Sequence, residues 1–216
     1  SETVETVDQA SNKETEETEE DLEDVSETEN GAEVETEKVN ARLIALSGAK
    51  PKRTILFIAF AGEEFGLLGA KAYARTHQNE LGKIANLFNR DGGPTPPIGI
   101  SVPQAMYDDF VEICKPVKNI NPDFPFEVKV AKPRKRPTST GGTDASVFAV
   151  EGVPTYGFTT DDIKGYNFSY GEIWHTERDL YTKNIPEYQE HTAVVTAIVA
   201  LGVANLDKQL SREGMY

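Results

Sequence analysis

Apolar residues in this chain fall into short blocks whose spacing switches between strand-like and helix-like. The densest block, Thr54-Ile55-Leu56-Phe57-Ile58-Ala59-Phe60-Ala61, is β-branched and aromatic throughout. It reads as a strand buried on both faces. Upstream, Val39, Leu43 and Ile44 give one apolar side to a short helix over 39–47, closed by Gly48 and Pro51. Downstream, Gly62-Glu63-Glu64 ends the strand, Gly66 and Gly69 mark a tight connection, and 70–77 reads as a helix. Further strands are predicted over 83–88, 98–102, 126–130 and 153–158, and helices over 103–114, 144–150 and 186–210. Pro103 and Pro186 stand at helix starts, where a missing N–H costs nothing. In the last helix Val194, Val195, Ile198, Leu201 and Val203 cover a wide face that has to pack on the sheet.

Strands alternating with helices predict an α/β domain, a mixed sheet flanked by helices. There is no internal repeat, P-loop or GxGxxG. The formal charge of -14 is unevenly spread: residues 1–40 hold 16 acidic and 2 basic side chains, while 41–216 hold 20 of each. Residues 1–40 have no aromatic and few large apolar groups, so they read as a disordered acidic tail preceding a domain over 41–216. The balanced domain has no net field to gather nucleic acid. Cys114 is the only cysteine, which excludes an intrachain disulfide and a thiolate-rich zinc site. No apolar run approaches the roughly 20 residues of a membrane span, and no basic stretch leads into an apolar one at the start of the chain.

In open α/β sheets ligands gather beyond the carboxyl ends of strands. Glu63, Glu64 and Asp91 stand at such ends. Adjacent glutamates after a strand point in different directions, so one can hold a metal while the other faces a bound water. By itself the dipeptide is more often a solvated loop pair. Its place after a wholly apolar strand favours a function, since charge there is costly unless paired or metal-bound. His175, in Trp174-His175-Thr176-Glu177-Arg178-Asp179, is the best imidazole candidate. His77 and His191 fall on predicted helices without acidic company and read as structural or surface residues. Lys132, Arg134, Lys135 and Arg136 form a basic cluster able to meet phosphate, carboxylate or the acidic tail, with a solvated loop as the plainer reading. Without interleaved aromatics the cluster gives no sign of nucleic-acid binding. Tyr166, Tyr170 and Trp174 fit a substrate pocket and core packing about equally well.

Four strings together resemble peptidase family M28, the co-catalytic zinc aminopeptidases and carboxypeptidases. They are Arg53-Thr54-Ile55-Leu56-Phe57 with Gly62-Glu63-Glu64-Phe65-Gly66-Leu67-Leu68-Gly69; Asn89-Arg90-Asp91-Gly92; Gly142-Thr143-Asp144-Ala145-Ser146-Val147-Phe148 with Glu151-Gly152-Val153-Pro154; and Trp174-His175-Thr176 with Asp179. They lie in the family's order over most of the domain. The resemblance implies a zinc-exopeptidase-like fold, a peptide substrate, two zinc ions and a secreted or periplasmic setting. It implies Glu63 as general base, Glu64 and His175 as ligands of one zinc, and Asp91 as a ligand of the other. The family also carries a His-x-Asp and a bridging Asp-Asn upstream of the Glu-Glu strand. Here that region is the acidic tail, which has no histidine; its Asp21 and Asp24 do not resemble the bridge. The expectation is a domain lacking its N-terminal strands and two of five metal ligands. It would be an aminopeptidase-like hydrolase impaired in zinc binding or, alternatively, an inactive peptidase-like binding or structural module.

Overall fold

A computed structural model describes residues 31–214 and Tyr216, with side chains described from Lys38 onward. The described part is a mixed α/β structure. In chain order the helices are α1 (Gly31–Leu46), α2 (Leu68–Thr76), α3 (Gln104–Cys114), α4 (Asp144–Val150), α5 (Tyr170–Ile173) and α6 (Pro186–Asn205). The strands are β1 (Leu87–Phe88), β2 (Pro97–Pro103), β3 (Glu127–Ala131), β4 (Thr155–Tyr156) and β5 (Phe158–Thr160). Helix α1 begins well before the short helix expected over 39–47, so part of the expected tail is helical from Gly31. Residues 1–30 lie outside the described residues.

Strand β2 is the axis of the larger ladder. β3 pairs with it in parallel, Ile100 opposite Val128, and β5 pairs antiparallel on its other side, Ile100 opposite Phe158. β1 and β4 form a two-stranded parallel ladder, Leu87 opposite Thr155. The strand expected over 153–158 is therefore two short strands: the chain leaves one ladder at Tyr156 and enters the other at Phe158. The strand expected over 83–88 is reduced to Leu87–Phe88, because residues 81–83 form a turn of 3-10 helix.

The larger core lies between β2, β3, α3 and α6. It includes Ile100, Val102, Phe110, Val117, Val195 and Val199, all essentially without exposure. Each such side chain contributes about 1.5–3 kcal/mol by leaving water. The wide apolar face of α6 packs on more than the sheet, since α6 also meets α3 and runs against α1, where Asn40 and Ile44 are buried. It stops at Asn205 rather than 210. There the Arg53 guanidinium donates to the carbonyls of Val203, Ala204 and Leu206, at 3.4, 3.3 and 2.6 Å, acceptors that a helix end leaves orphaned. A smaller core gathers Leu67, Ala70 and Ala74 from around α2 with Val147, Phe148 and Val153. Among the described residues no helix is long and apolar enough to cross a membrane.

Residues 54–61 depart most from expectation. They form no strand. No backbone N–H from Thr54 to Phe60 donates to a described backbone carbonyl. Leu56 is 66% exposed and Phe57 39%. A strand is defined by its neighbours, and among the described residues nothing lies alongside to complete a ladder or cover the second face. The segment is nevertheless held at its start. Arg53 caps α6, and the Lys52 N–H donates to Asn205 Oδ1 at 3.1 Å. Near its end Phe60 packs on Tyr73 and Phe148 of the smaller core.

Gly202 of α6 supplies a direct test of the α3–α6 packing. A Cβ there would sit 2.6 Å from Ile113 Cγ2, closer than packed carbons tolerate. Despite Ala's better helix propensity, Gly202→Ala is expected to destabilise the chain by about 1–3 kcal/mol in denaturant titration. An unchanged midpoint would show that the two helices shift apart freely.

Candidate metal centre and proton-transfer site

Glu63 and Glu64 occupy the turn between residues 54–61 and α2. The N–H groups of Gly66 and Leu67 both donate to the Glu63 carbonyl, at 2.9 and 2.8 Å. Leu68 N–H donates to the Gly62 carbonyl and Gly69 N–H to the Ala61 carbonyl. Gly69 is required by closeness, since a Cβ would lie 2.6 Å from the Ala61 oxygen. The glycine pattern of this motif is thus the geometry that folds α2 back onto the chain and leaves the two carboxylates at its start. Glu63 is half-buried and Glu64 exposed.

His175 reaches the same place from the other side of the domain. It follows α5 with a left-handed φ of 54°. Its Nε2 lies 3.1 Å from Glu64 Oε2. The signature residues around it build the turn. Thr176 Oγ1 donates to the carbonyls of Glu172 and Ile173 and accepts from Arg178 N–H, and Asp179 N–H donates to the Thr176 carbonyl. The loop preceding α5 is tied to α6 through Asp162. Its carboxylate accepts from Tyr188 Oη at 2.7 Å and from the N–H groups of Tyr166 and Phe168, each at 3.1 Å. These bonds, that from Tyr188 foremost, hold the Asp162 carboxyl below its usual range. Burial, with Asp162 beside it, pushes the Tyr188 phenol up to about 12.

Asp91 follows β1 in the irregular segment 89–93. Partial exclusion of water is the main cause raising its carboxyl above the ordinary range; Glu64 adds to this and Arg90 opposes it. Glu63 is raised as well, first by desolvation, then by Asp91, Glu64 and Asp144, with His175 acting in the opposite sense. Glu63, Glu64, Asp91 and His175 therefore share one electrostatic neighbourhood. Asp144 belongs to it too. At the start of α4 it is 8% exposed, its Oδ1 has no partner among the described residues, and burial followed by Asp91 raises its carboxyl. Sequence reading placed Asp144 inside a motif without giving it a role. The signal was its position in Gly-Thr-Asp, but a residue type that also starts helices gave no reason to single it out.

Other candidates resolve plainly. His77 stacks on Tyr73 with ring centres 4.0 Å apart, and buried His191 lies against Phe124 at 4.2 Å, so both are structural. Tyr166, Tyr170 and Trp174 are 52%, 41% and 56% exposed, which removes the core-packing reading. The basic loop is not simply solvated. Arg134 Nη2 donates to the Thr155 carbonyl at 2.8 Å and Arg136 Nε to the Val150 carbonyl at 2.7 Å.

Zinc accepts imidazole and carboxylate donors, and catalytic zinc usually has three protein ligands. Glu64 and His175 are near enough to share an ion, but among the described residues no three His, Cys, Asp or Glu side chains converge as a metal-binding group. The donor set fits one edge of a zinc centre and does not make a complete one.

The sequence pattern of peptidase family M28 matches residues 28–199. Carboxypeptidase Q of Mus musculus is 28% identical over 182 residues, covering 84% of this chain and 35% of the relative. A probable zinc metalloprotease of Pyrenophora tritici-repentis is 55% identical over 42 residues, covering 19% of this chain and 10% of the relative. The crystal structure of a peptidase M28 precursor from Shewanella amazonensis superposes with a TM-score of 0.66 at 27% identity, over 85% of this chain and 38% of that one. The chain spans about a third of the length of the curated relatives that it matches over most of its length. With the pattern matched over most of the chain and the fold shared, the chain belongs to peptidase family M28.

Proposed function

We propose that this chain carries the proton-transfer residue and part of the zinc-binding set of a peptide-hydrolysing site. The 3.1 Å approach of His175 to Glu64, made by residues more than a hundred positions apart, carries the reading. In it Glu64 and His175 bind one zinc, Asp91 binds the second, and Glu63 is the general base. Zinc, when bound, polarises a carbonyl and acidifies water. Glu63 then has a defined task. Its carboxylate takes a proton from the attacking water and returns it to the leaving amine. Its raised pKa suits that task, because a base too acidic would hold the proton too weakly. Family membership and the zinc-metalloprotease name of a relative support peptide hydrolysis. The resemblance favours an aminopeptidase, whereas the mammalian relative is named a carboxypeptidase.

Among the described residues only two ligands of one zinc, Glu64 and His175, come within reach of each other. We therefore propose that this chain by itself binds zinc weakly and turns over peptides poorly. Calorimetric titration with zinc alongside a peptide-hydrolysis assay tests both halves. Two tight zinc sites with robust turnover would overturn this proposal, and a folded chain that binds peptides without cleaving them would favour the binding-module alternative.

The two adjacent glutamates differ in role. In a zinc-loaded, active form, Glu63→Gln is expected to keep its metal and lose about 10²-fold or more in kcat, whereas Glu64→Gln loses metal. Equal metal loss in both variants, read by elemental analysis, contradicts the division.

The carboxylates also set a pH dependence in the metal-free chain. A carboxyl raised on folding binds its proton more tightly in the folded state. Its contribution to stability is full below the unfolded pKa and is lost as pH rises through the folded one. For Asp91 that window opens above about pH 4, the ordinary Asp range. Asp91→Asn is therefore expected to melt higher than the unaltered chain at neutral pH, with the gain vanishing near pH 4. A variant equally stable at both pH values would show that the carboxylate cluster is not under strain.

A further inference from the structure

A cavity of about 290 Å³ opens on one side of Asp91, and apart from Asp91 none of its lining residues has a part in the proposed chemistry. Its lining includes Asn89, Arg90, Arg134, Thr143 and Thr160. Its character is opposite to that of the acidic cluster next to it, since the lining has two guanidinium groups and a single carboxylate, Asp91. The donors are arranged to meet an anion. Arg134 is fixed at its backbone, where its N–H donates to the Gly214 carbonyl at 3.1 Å, and at Nη2, which donates to the Thr155 carbonyl at 2.8 Å. A guanidinium has five N–H donors, and among the described residues Nε and Nη1 meet no partner, so they remain for a ligand. Thr160 Oγ1 accepts from Thr95 Oγ1 at 3.1 Å, which leaves its own proton to give. Thr143 makes no side-chain bond to the start of α4. A planar guanidinium with flanking hydroxyls matches a carboxylate, with its two oxygens in one plane.

We propose that this cavity binds a carboxylate of the peptide substrate, with Arg134 as the specificity-determining residue. The inference rests on the reading of Glu63, Glu64, Asp91 and His175 as the hydrolytic site. It adds that the substrate is a short peptide lying with its anionic end in the basic cavity and its scissile bond toward the acidic cluster. Two sources supply that chemistry, the terminal α-carboxylate and an acidic side chain. A charge-assisted pair held in a cavity discriminates strongly, because an amide in its place leaves the guanidinium desolvated and unpaired.

Binding, not turnover, is the test, so it is separable from the hydrolytic reading. The full chain is titrated with Ala-Ala, Ala-Ala-amide and Ala-Glu-amide by calorimetry or NMR, with and without zinc. Ala-Ala, Ala-Glu-amide or both are expected to bind at least about tenfold more tightly than Ala-Ala-amide. Preference for Ala-Ala assigns the α-carboxylate, and recovery of affinity with Ala-Glu-amide assigns the side chain. Arg134→Ala should abolish the preference, and Arg134→Lys, which keeps the charge without the fork, should retain part of it. Arg134 also holds the Thr155 carbonyl, so melting temperatures are recorded; a folded Arg134→Lys protein with reduced preference supports the proposal even if Arg134→Ala does not fold. Equal binding of all three peptides, no binding at millimolar concentration, or a preference unchanged in Arg134→Lys and Arg134→Ala would each overturn it. Failure of zinc binding or hydrolysis with the preference intact would instead count against the hydrolytic reading alone.

Discussion

The two ends of α6 hold the two halves of the candidate site. At its C-terminus the orphaned carbonyls are taken by Arg53, and Lys52 N–H meets Asn205 beside them. That contact fixes the start of the segment that delivers Glu63 and Glu64. Near its N-terminus Tyr188, fully buried, reaches Asp162 and thereby sets the loop that delivers His175. Neither half is held by a regular strand or long helix of its own. They meet at 3.1 Å, and α6, which both reach, is packed against α1, α3 and β2.

The site that results is electrostatically uneven. Glu63, Asp91 and Asp144 all have raised carboxyl pKa values, with desolvation as the leading cause and mutual repulsion added. Such a cluster opposes folding at neutral pH unless a cation or proton joins it. Clustered carboxylates that cost stability point to a function rather than to structural support. Basic side chains lie close by in the adjoining cavity, where Arg90 donates to the Thr95 carbonyl and Arg134 to the Thr155 carbonyl, each at 2.8 Å. A guanidinium bonded to a neutral carbonyl keeps its charge, so acidic and basic side chains stand on adjoining sides of Asp91.

Much of the fold was legible in the chain. Helix α4 over Asp144–Val150 stands where composition placed it, and α3 and β2 lie within a residue of their expected bounds. Their signals are local: a proline that sets φ, an apolar period and a stop residue. The motifs that mark Glu63, Glu64, Asp91 and His175 were legible as well, because glycine-defined turns leave a sequence trace. What was not legible depended on partners distant in the chain. The arginines of the basic loop looked solvated, and only folding brings the Thr155 and Val150 carbonyls to them. The aromatic residues near His175 could equally have been core, until burial was known.

The sequence by itself determined most of the helices, the family motifs and the donor chemistry, since these follow from residue type and short spacing. It also determined that the charge excess lies in residues 1–40, which is a matter of composition. The tertiary structure alone decided that residues 54–61, apolar and β-branched, form no strand. Strand formation requires a neighbouring backbone, and propensity cannot supply one. It alone decided that Asp144 joins the acidic cluster, that a basic cavity adjoins it, and that Glu64 and His175 meet. Distances between residues a hundred positions apart are set by packing around α6, on which short-range sequence patterns carry no information.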